Sequence, residues 1–190
     1  MILKHISPLL AAGAILVPVT AGAQTYGTLD TTASTLGFAY SQMGVSLDGK
    51  FPKFSATLRY DPAKPTAAST VVEVPLKQID TGSEEGDDEV QGADWFASAA
   101  HPLARFESTE VKQTGPGQLA VTGTLSIKGK QRVLTVPVTV VEKNGHASFD
   151  GQFALNRTDF DIGSGMWAKD DVVAHVVTVT FHLVTTPSKP

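Results

Sequence analysis

Residues 118–156 read QLAVTGTLSIKGKQRVLTVPVTVVEKNGHASFDGQFALN. Leu119, Val121, Leu125 and Ile127 share one parity with Gly123, while small or polar residues hold the other. That period of two belongs to a strand with one buried face and one wet face. Lys128-Gly129-Lys130 ends the run as a turn, Val136, Val138 and Val140 resume the alternation, and Asn144-Gly145 is a strong hairpin signal. Ala147, Phe149, Gly151, Phe153 and Leu155 then repeat the pattern. This stretch therefore predicts three consecutive strands joined by tight turns, which makes neighbours antiparallel.

The same reading extends in both directions. Upstream, Leu36, Phe38 and Tyr40 form a bulky face, followed by Val45, Leu47, Gly49 and Phe51, and after Pro52 by Phe54, Ala56, Leu58 and Tyr60. Asp61-Pro62-Ala63-Lys64-Pro65 makes a turn, and Val71 to Leu76 supplies a further strand. Arg105 to Gln113 leads through Thr114-Gly115-Pro116-Gly117 into the quoted region. Downstream, Val173, His175, Val177, Val179, Phe181 and Leu183 share one face of a long last strand. Residues 93–100 are the one convincing helical patch, with Asp94 as cap and Pro102 as stop. The acidic run Asp80 to Glu89 lacks the alternating ligand spacing of an EF-hand and reads as a solvated loop. About eight antiparallel strands close most readily into a barrel, which removes unpaired edges and leaves room for one small ligand. The expectation is an all-β, eight-stranded antiparallel lipocalin-like barrel with one short helix near residues 93–100.

Met1 to Ala23 has the form of a secretory signal: Lys4 near the start, an apolar stretch from Ile6 to Val19, and Ala21-Gly22-Ala23 as a small-x-small cleavage site. The apolar stretch is shorter than the roughly 20 residues that span a bilayer. The chain thus divides into a leader, 1–23, cleaved after Ala23, and one domain, 24–190, expected in the periplasm without stable membrane insertion. A formal charge of −4, with 15 scattered Lys and Arg residues, argues against a nucleic-acid partner. There is no cysteine, so a domain of this size must rely on its core rather than on disulfides.

The sequence offers little for catalysis. No cysteine and no G-x-S-x-G elbow are present, and His101, His146, His175 and His182 show no metal-ligand spacing. His175 lies on an otherwise apolar face, where a buried, hydrogen-bonded imidazole is expected. The most specific polar cluster is Asn156-Arg157-Thr158-Asp159-Phe160-Asp161. Arg157 and Asp159 either tie down a strand end, or Arg157 stands at the barrel mouth where a guanidinium meets a phosphate, carboxylate or quinone oxygen.

Several motifs, in order, resemble the YceI-like family. They are Gly49-Lys50-Phe51 with Phe54, Leu58-Arg59-Tyr60-Asp61-Pro62, Ile79-Asp80-Thr81-Gly82, and Asp94-Trp95-Phe96 with His101-Pro102. Phe106-Glu107-Ser108-Thr109, Gly123-Thr124-Leu125-Ser126-Ile127-Lys128-Gly129 and Phe153-Ala154-Leu155-Asn156-Arg157-Thr158-Asp159-Phe160 follow. The resemblance runs from about Tyr26 to Leu183. It implies an exported, lipocalin-like barrel that holds a long isoprenoid chain or another amphiphile, with membrane cytochromes of the b561 type as partners of some members. This chain departs from the pattern at Gln42, where many members carry a His, so no role of that imidazole transfers. No cofactor is expected beyond a bound lipid, a polyisoprenoid or isoprenoid quinone. The expected ligand-binding residues are Leu36, Phe38, Tyr40, Phe51, Phe54, Leu58, Trp95, Phe96, Phe106, Phe153, Arg157, Trp167, His175 and Phe181. Two other functions remain open at this point: a small-substrate hydrolase or isomerase using Arg157 with nearby carboxylates, and a stress-response interaction module with a solidly packed barrel.

Overall fold

A computed structural model describes residues 25–188; the expected leader and cleavage site lie outside them. Among these residues the strands are β1 (Tyr26–Leu29), β2 (Thr35–Gln42), β3 (Val45–Lys50), β4 (Ser55–Arg59), β5 (Ser69–Pro75), β6 (Leu103–Gly115), β7 (Gln118–Ile127), β8 (Lys130–Lys143), β9 (His146–Asn156) and β10 (Val176–Pro187). They form one curled antiparallel sheet in the order β3-β2-β10-β9-β8-β7-β6-β5-β4, with β1 also paired to β10. Two staves are broken. β2 pairs with the first half of β10 and β1 with its last residues, so β1 and β2 lie along one line. β3 and β4 lie along the next, separated at Pro52, which has no N–H to donate. The ten named strands thus make the eight staves expected.

Local chemistry explains the first break. Asp30 Oδ1 accepts hydrogen bonds from the Thr32 and Ala33 amides at 3.0 and 3.1 Å, an Asx turn that throws the chain outward. Ser34 Oγ then accepts from the Val184 amide at 2.9 Å and returns the chain to β10. The ends of the curled sheet meet through β1 and β4, where Tyr26 and Tyr60 exchange backbone bonds of 2.8 and 3.0 Å. Along the rest of this seam β3 has no strand partner on its outer side among the described residues. Asp80 fills part of the gap, exchanging backbone bonds of 2.8 and 3.0 Å with Lys50 and forming a 3.1 Å ion pair with it.

The short helix is not where the sequence predicts it. Residues 93–100 form successive turns with Ala97 in the left-handed region, φ 47°. Asp94 is committed elsewhere: its carbonyl accepts from the Gly163 and Ser164 amides at 2.7 and 2.8 Å, and its carboxylate from the Ser164 hydroxyl at 2.6 Å. The helix, α1 (Glu84–Glu89), arises instead from the acidic run read as a loop. Ser83 caps it by accepting from the Gly86 amide at 3.1 Å, and Glu84, Glu85 and Asp87 sit at its positive end.

The two ends of the barrel differ. At one, Tyr26, Leu58, Tyr60, Leu119, Val138, Phe149 and Leu183 are buried in one cluster, with Tyr60 edge-on to Phe149 at 5.2 Å. At the other, two long connections, residues 76–102 and 157–175, cross the opening and bury Trp95, Phe160, Ile162 and Val173. Between them the inward rings of Phe38, Phe106, Phe153 and Phe181 are only partly buried. Their arrangement against the wall explains why. Phe38 pairs across the strands with Gly49, and Phe181 with Gly151, in register. A Cβ on Gly49 would fall 2.1 Å from Phe38 Cζ, and one on Gly151 2.5 Å from Phe181 Cζ. Phe106 lies over Gly123 in the same way, at 2.4 Å. Each ring therefore covers bare backbone, and the middle of the barrel stays open.

Candidate ligand-binding cavity

The interior encloses a cavity of about 720 Å³. This is well above the roughly 300 Å³ at which ligand pockets begin, so the solidly packed barrel expected of a pure interaction module is not what forms. Of the residues expected to bind ligand, Leu36, Phe38, Tyr40, Phe51, Leu58, Trp95, Phe96, Phe106, Phe153, Arg157, Trp167 and Phe181 line it. Phe54 does not line it; it packs between the two core clusters. Also outside the lining is His175, which precedes β10 and whose side chain is about one-third exposed. Its Nε2 lies 2.9 Å from the Ala168 carbonyl and its amide donates to Asp170, so the expected buried imidazole is a loop residue.

Sequence reasoning passed over much of the apolar wall. Leu119, Val121, Leu125, Ile127, Val136 and Val138 all line the cavity. Their alternation carries the same inward signal that marks Leu36 and Leu58. Also missed is the polar mouth. Asp48, Ser83, Glu85 and Glu89 border the cavity and are exposed, which places the opening between the β2–β3 hairpin and α1. Tyr40 donates to the Thr81 carbonyl across this mouth at 3.3 Å, and burial, with Asp87 nearby, pushes its hydroxyl pKa up. Trp167 Nε1 donates to Glu89 Oε1 at 2.9 Å, joining the two long connections.

Arg157 turns out to be the hub of that closure. Its residue is 1% exposed and all five N–H groups are engaged. Nε donates to the Ala174 carbonyl at 3.1 Å, Nη1 to those of Ile162 and Gly163 at 2.7 and 2.9 Å, and Nη2 to those of Trp167 and Val173 at 2.6 and 2.7 Å. Its guanidinium carbon sits 5.7 Å from the centre of the Trp95 ring. Burial pushes its pKa down, partly offset by Asp170. Asp159, expected with it to tie down the strand end, reaches Arg132 at 4.0 Å. No N–H of Arg157 remains for a phosphate, a carboxylate or a quinone oxygen, and none of its hydrogen-bond partners is a carboxylate. The anchor role and the hydrolase geometry expected of it therefore lack their donor. Among the described residues no cluster of His, Asp or Glu is placed to hold a metal.

Residues 28–185 match the YceI-like domain. The chain belongs to the YceI-like family. A UPF0312 protein of Vibrio cholerae is 31% identical over 160 residues, covering 80% of this chain and 84% of the relative. One from Shewanella baltica is 32% identical over 152 residues, 78% of this chain and 75% of the relative. Among solved structures, BcnA of Burkholderia cenocepacia superposes with a TM-score of 0.81 at 37% identity, covering 83% of this chain and 99% of BcnA. A polyisoprenoid binding domain from Saccharophagus degradans superposes at 0.67 with 17% identity, covering 86% and 98%, which establishes shared YceI-like architecture.

Proposed function

We propose that this YceI-like protein is an exported, non-catalytic carrier that shields a long hydrophobic chain from water. The proposed cargo class is a polyisoprenoid, an isoprenoid quinone or an acyl amphiphile, and the proposed location is the periplasm after cleavage at Ala23. The observation that carries this reading is the roughly 720 Å³ apolar hollow that the Phe rings leave between them. Burial contributes about 0.8 kcal/mol per CH₂, so each five-carbon isoprene unit adds on the order of 4 kcal/mol before ordering costs. The polyisoprenoid binding of the Saccharophagus degradans domain supports an isoprenoid as first choice. A membrane donor or acceptor, such as a b561-type cytochrome, belongs to the same proposal, because so insoluble a cargo must come from a membrane.

The test is organic extraction of protein purified without detergent, followed by mass spectrometry, together with titration of a prenyl chain into emptied protein. Stoichiometric lipid in the extract, or saturable uptake, is expected. Neither in material of native fold would remove the proposal.

A further inference from the structure

The cavity is apolar throughout its depth, but its mouth is not neutral. We infer that the mouth selects cargo whose polar end is uncharged or cationic and donates hydrogen bonds, an alcohol or an amine, and that it rejects phosphates and carboxylates. This rests on the carrier reading above and refines it.

Two independent features lead there. The first is what the cations of the lining are doing. Among the described residues lining the cavity these are Arg105 and Arg157. Arg157 has given all five donors to backbone carbonyls, as above. Arg105 is paired with Glu73 at 3.3 Å and also with Glu107, so it too is compensated. An anionic head group entering this site would find no free guanidinium or ammonium among the lining residues. The second is the charge of the mouth itself. Glu85 and Glu89, one turn apart on α1, line the opening as exposed carboxylates, whereas Asp48 borders it from β3 with the parity of Ala39, opposite to the inward Leu47 and Gly49. Counting Glu85 and Glu89, residues 80–89 carry six acidic side chains and no basic one. The ion pair of Lys50 with Asp80 offsets one of them.

The carboxylates do not create the site; the hollow does. They decide which end group can rest at its rim once the tail is buried. Carboxylate oxygens accept hydrogen bonds and donate none. A hydroxyl or ammonium at the rim meets acceptors, whereas a phosphate meets like charge with little salt between them.

Three probes with one tail separate the outcomes: farnesol, farnesylamine and farnesyl phosphate, titrated at low ionic strength against the wild-type protein and the E85Q/E89Q variant. Trp95 and Trp167 line the cavity and report binding by fluorescence. Both sites are exposed, and a Gln at 89 still offers Trp167 an acceptor, so the fold is retained. The alcohol and amine are expected to bind at least about tenfold more tightly than the phosphate. In the variant, that ratio should fall to within about twofold. Farnesyl phosphate matching farnesol in the wild type, or a ratio unchanged in the variant, would overturn this inference while leaving the carrier intact. Failure of all three to bind either protein would overturn both.

Discussion

A guanidinium with five donors and five carbonyl acceptors is a fastening, and its loss has a definite signature. Arg157→Lys supplies three donors for five acceptors and cannot reproduce the planar fork. We expect it to cost at least about 2 kcal/mol in chemical denaturation, because buried carbonyls are left unpaired. It should also loosen residues 157–175, visible as faster amide exchange at Gly163 and Ile162, whose neighbourhood the side chain holds. A substrate-turnover role would instead leave exchange unchanged and abolish a reaction. The sequence flagged Arg157 as the most specific polar residue but could not tell fastening from anchor, because the deciding acceptors are backbone carbonyls, which every residue carries. His175 was misplaced for a related reason. It shares parity with Val173 and Val177, but the pleat begins only at Val176, and parity means nothing in the loop before it.

Among the elements, the antiparallel strands and their hairpins were legible because alternation and turn chemistry act locally. Where two elements compete for one residue, local reading failed. Asp94 is a good cap in isolation, yet it bonds to the 163–164 loop, and α1 grows instead from a Ser cap and an acidic first turn. The closure between β1 and β4 was also beyond local reading, since it joins Tyr26 to Tyr60 through one bridge. That seam predicts a pH dependence. Burial, then Glu142, raises the pKa of the Tyr60 hydroxyl above its ordinary value near 10. A raised pKa means the folded protein holds this proton more tightly than the unfolded chain. Stability is therefore unaffected below pH 10 and falls as pH rises beyond it. Tyr60→Phe should flatten the alkaline limb of a stability-versus-pH curve; an unchanged limb would show that another group governs it. The rings laid over glycine make a second prediction at this scale. Gly151→Ala should push Phe181 off the wall, costing about 1–3 kcal/mol and weakening uptake of long chains more than of short ones.

For the molecule as a whole, the barrel class was readable from strand number, whereas the hollow was not. Aromatic bulk alone is compatible with a filled interior, and only the register that sets Phe38 on Gly49 and Phe181 on Gly151 decides the matter. Cargo that binds only the folded state should stabilise it by about 2.7 kcal/mol at a concentration one hundred times Kd, measured as a shift in thermal midpoint. Leu125→Trp, which fills the lumen from β7, should abolish that shift while keeping a cooperative melt. The Tyr26, Tyr60 and Phe149 cluster that seals the far end has a consequence for traffic. A tube stopped at one end has a single doorway, so arrival and departure must use it in turn, tail leading on the way in and head leading on the way out. A laden molecule is then closed to newcomers, and delivery proceeds as discrete round trips, one passenger at a time.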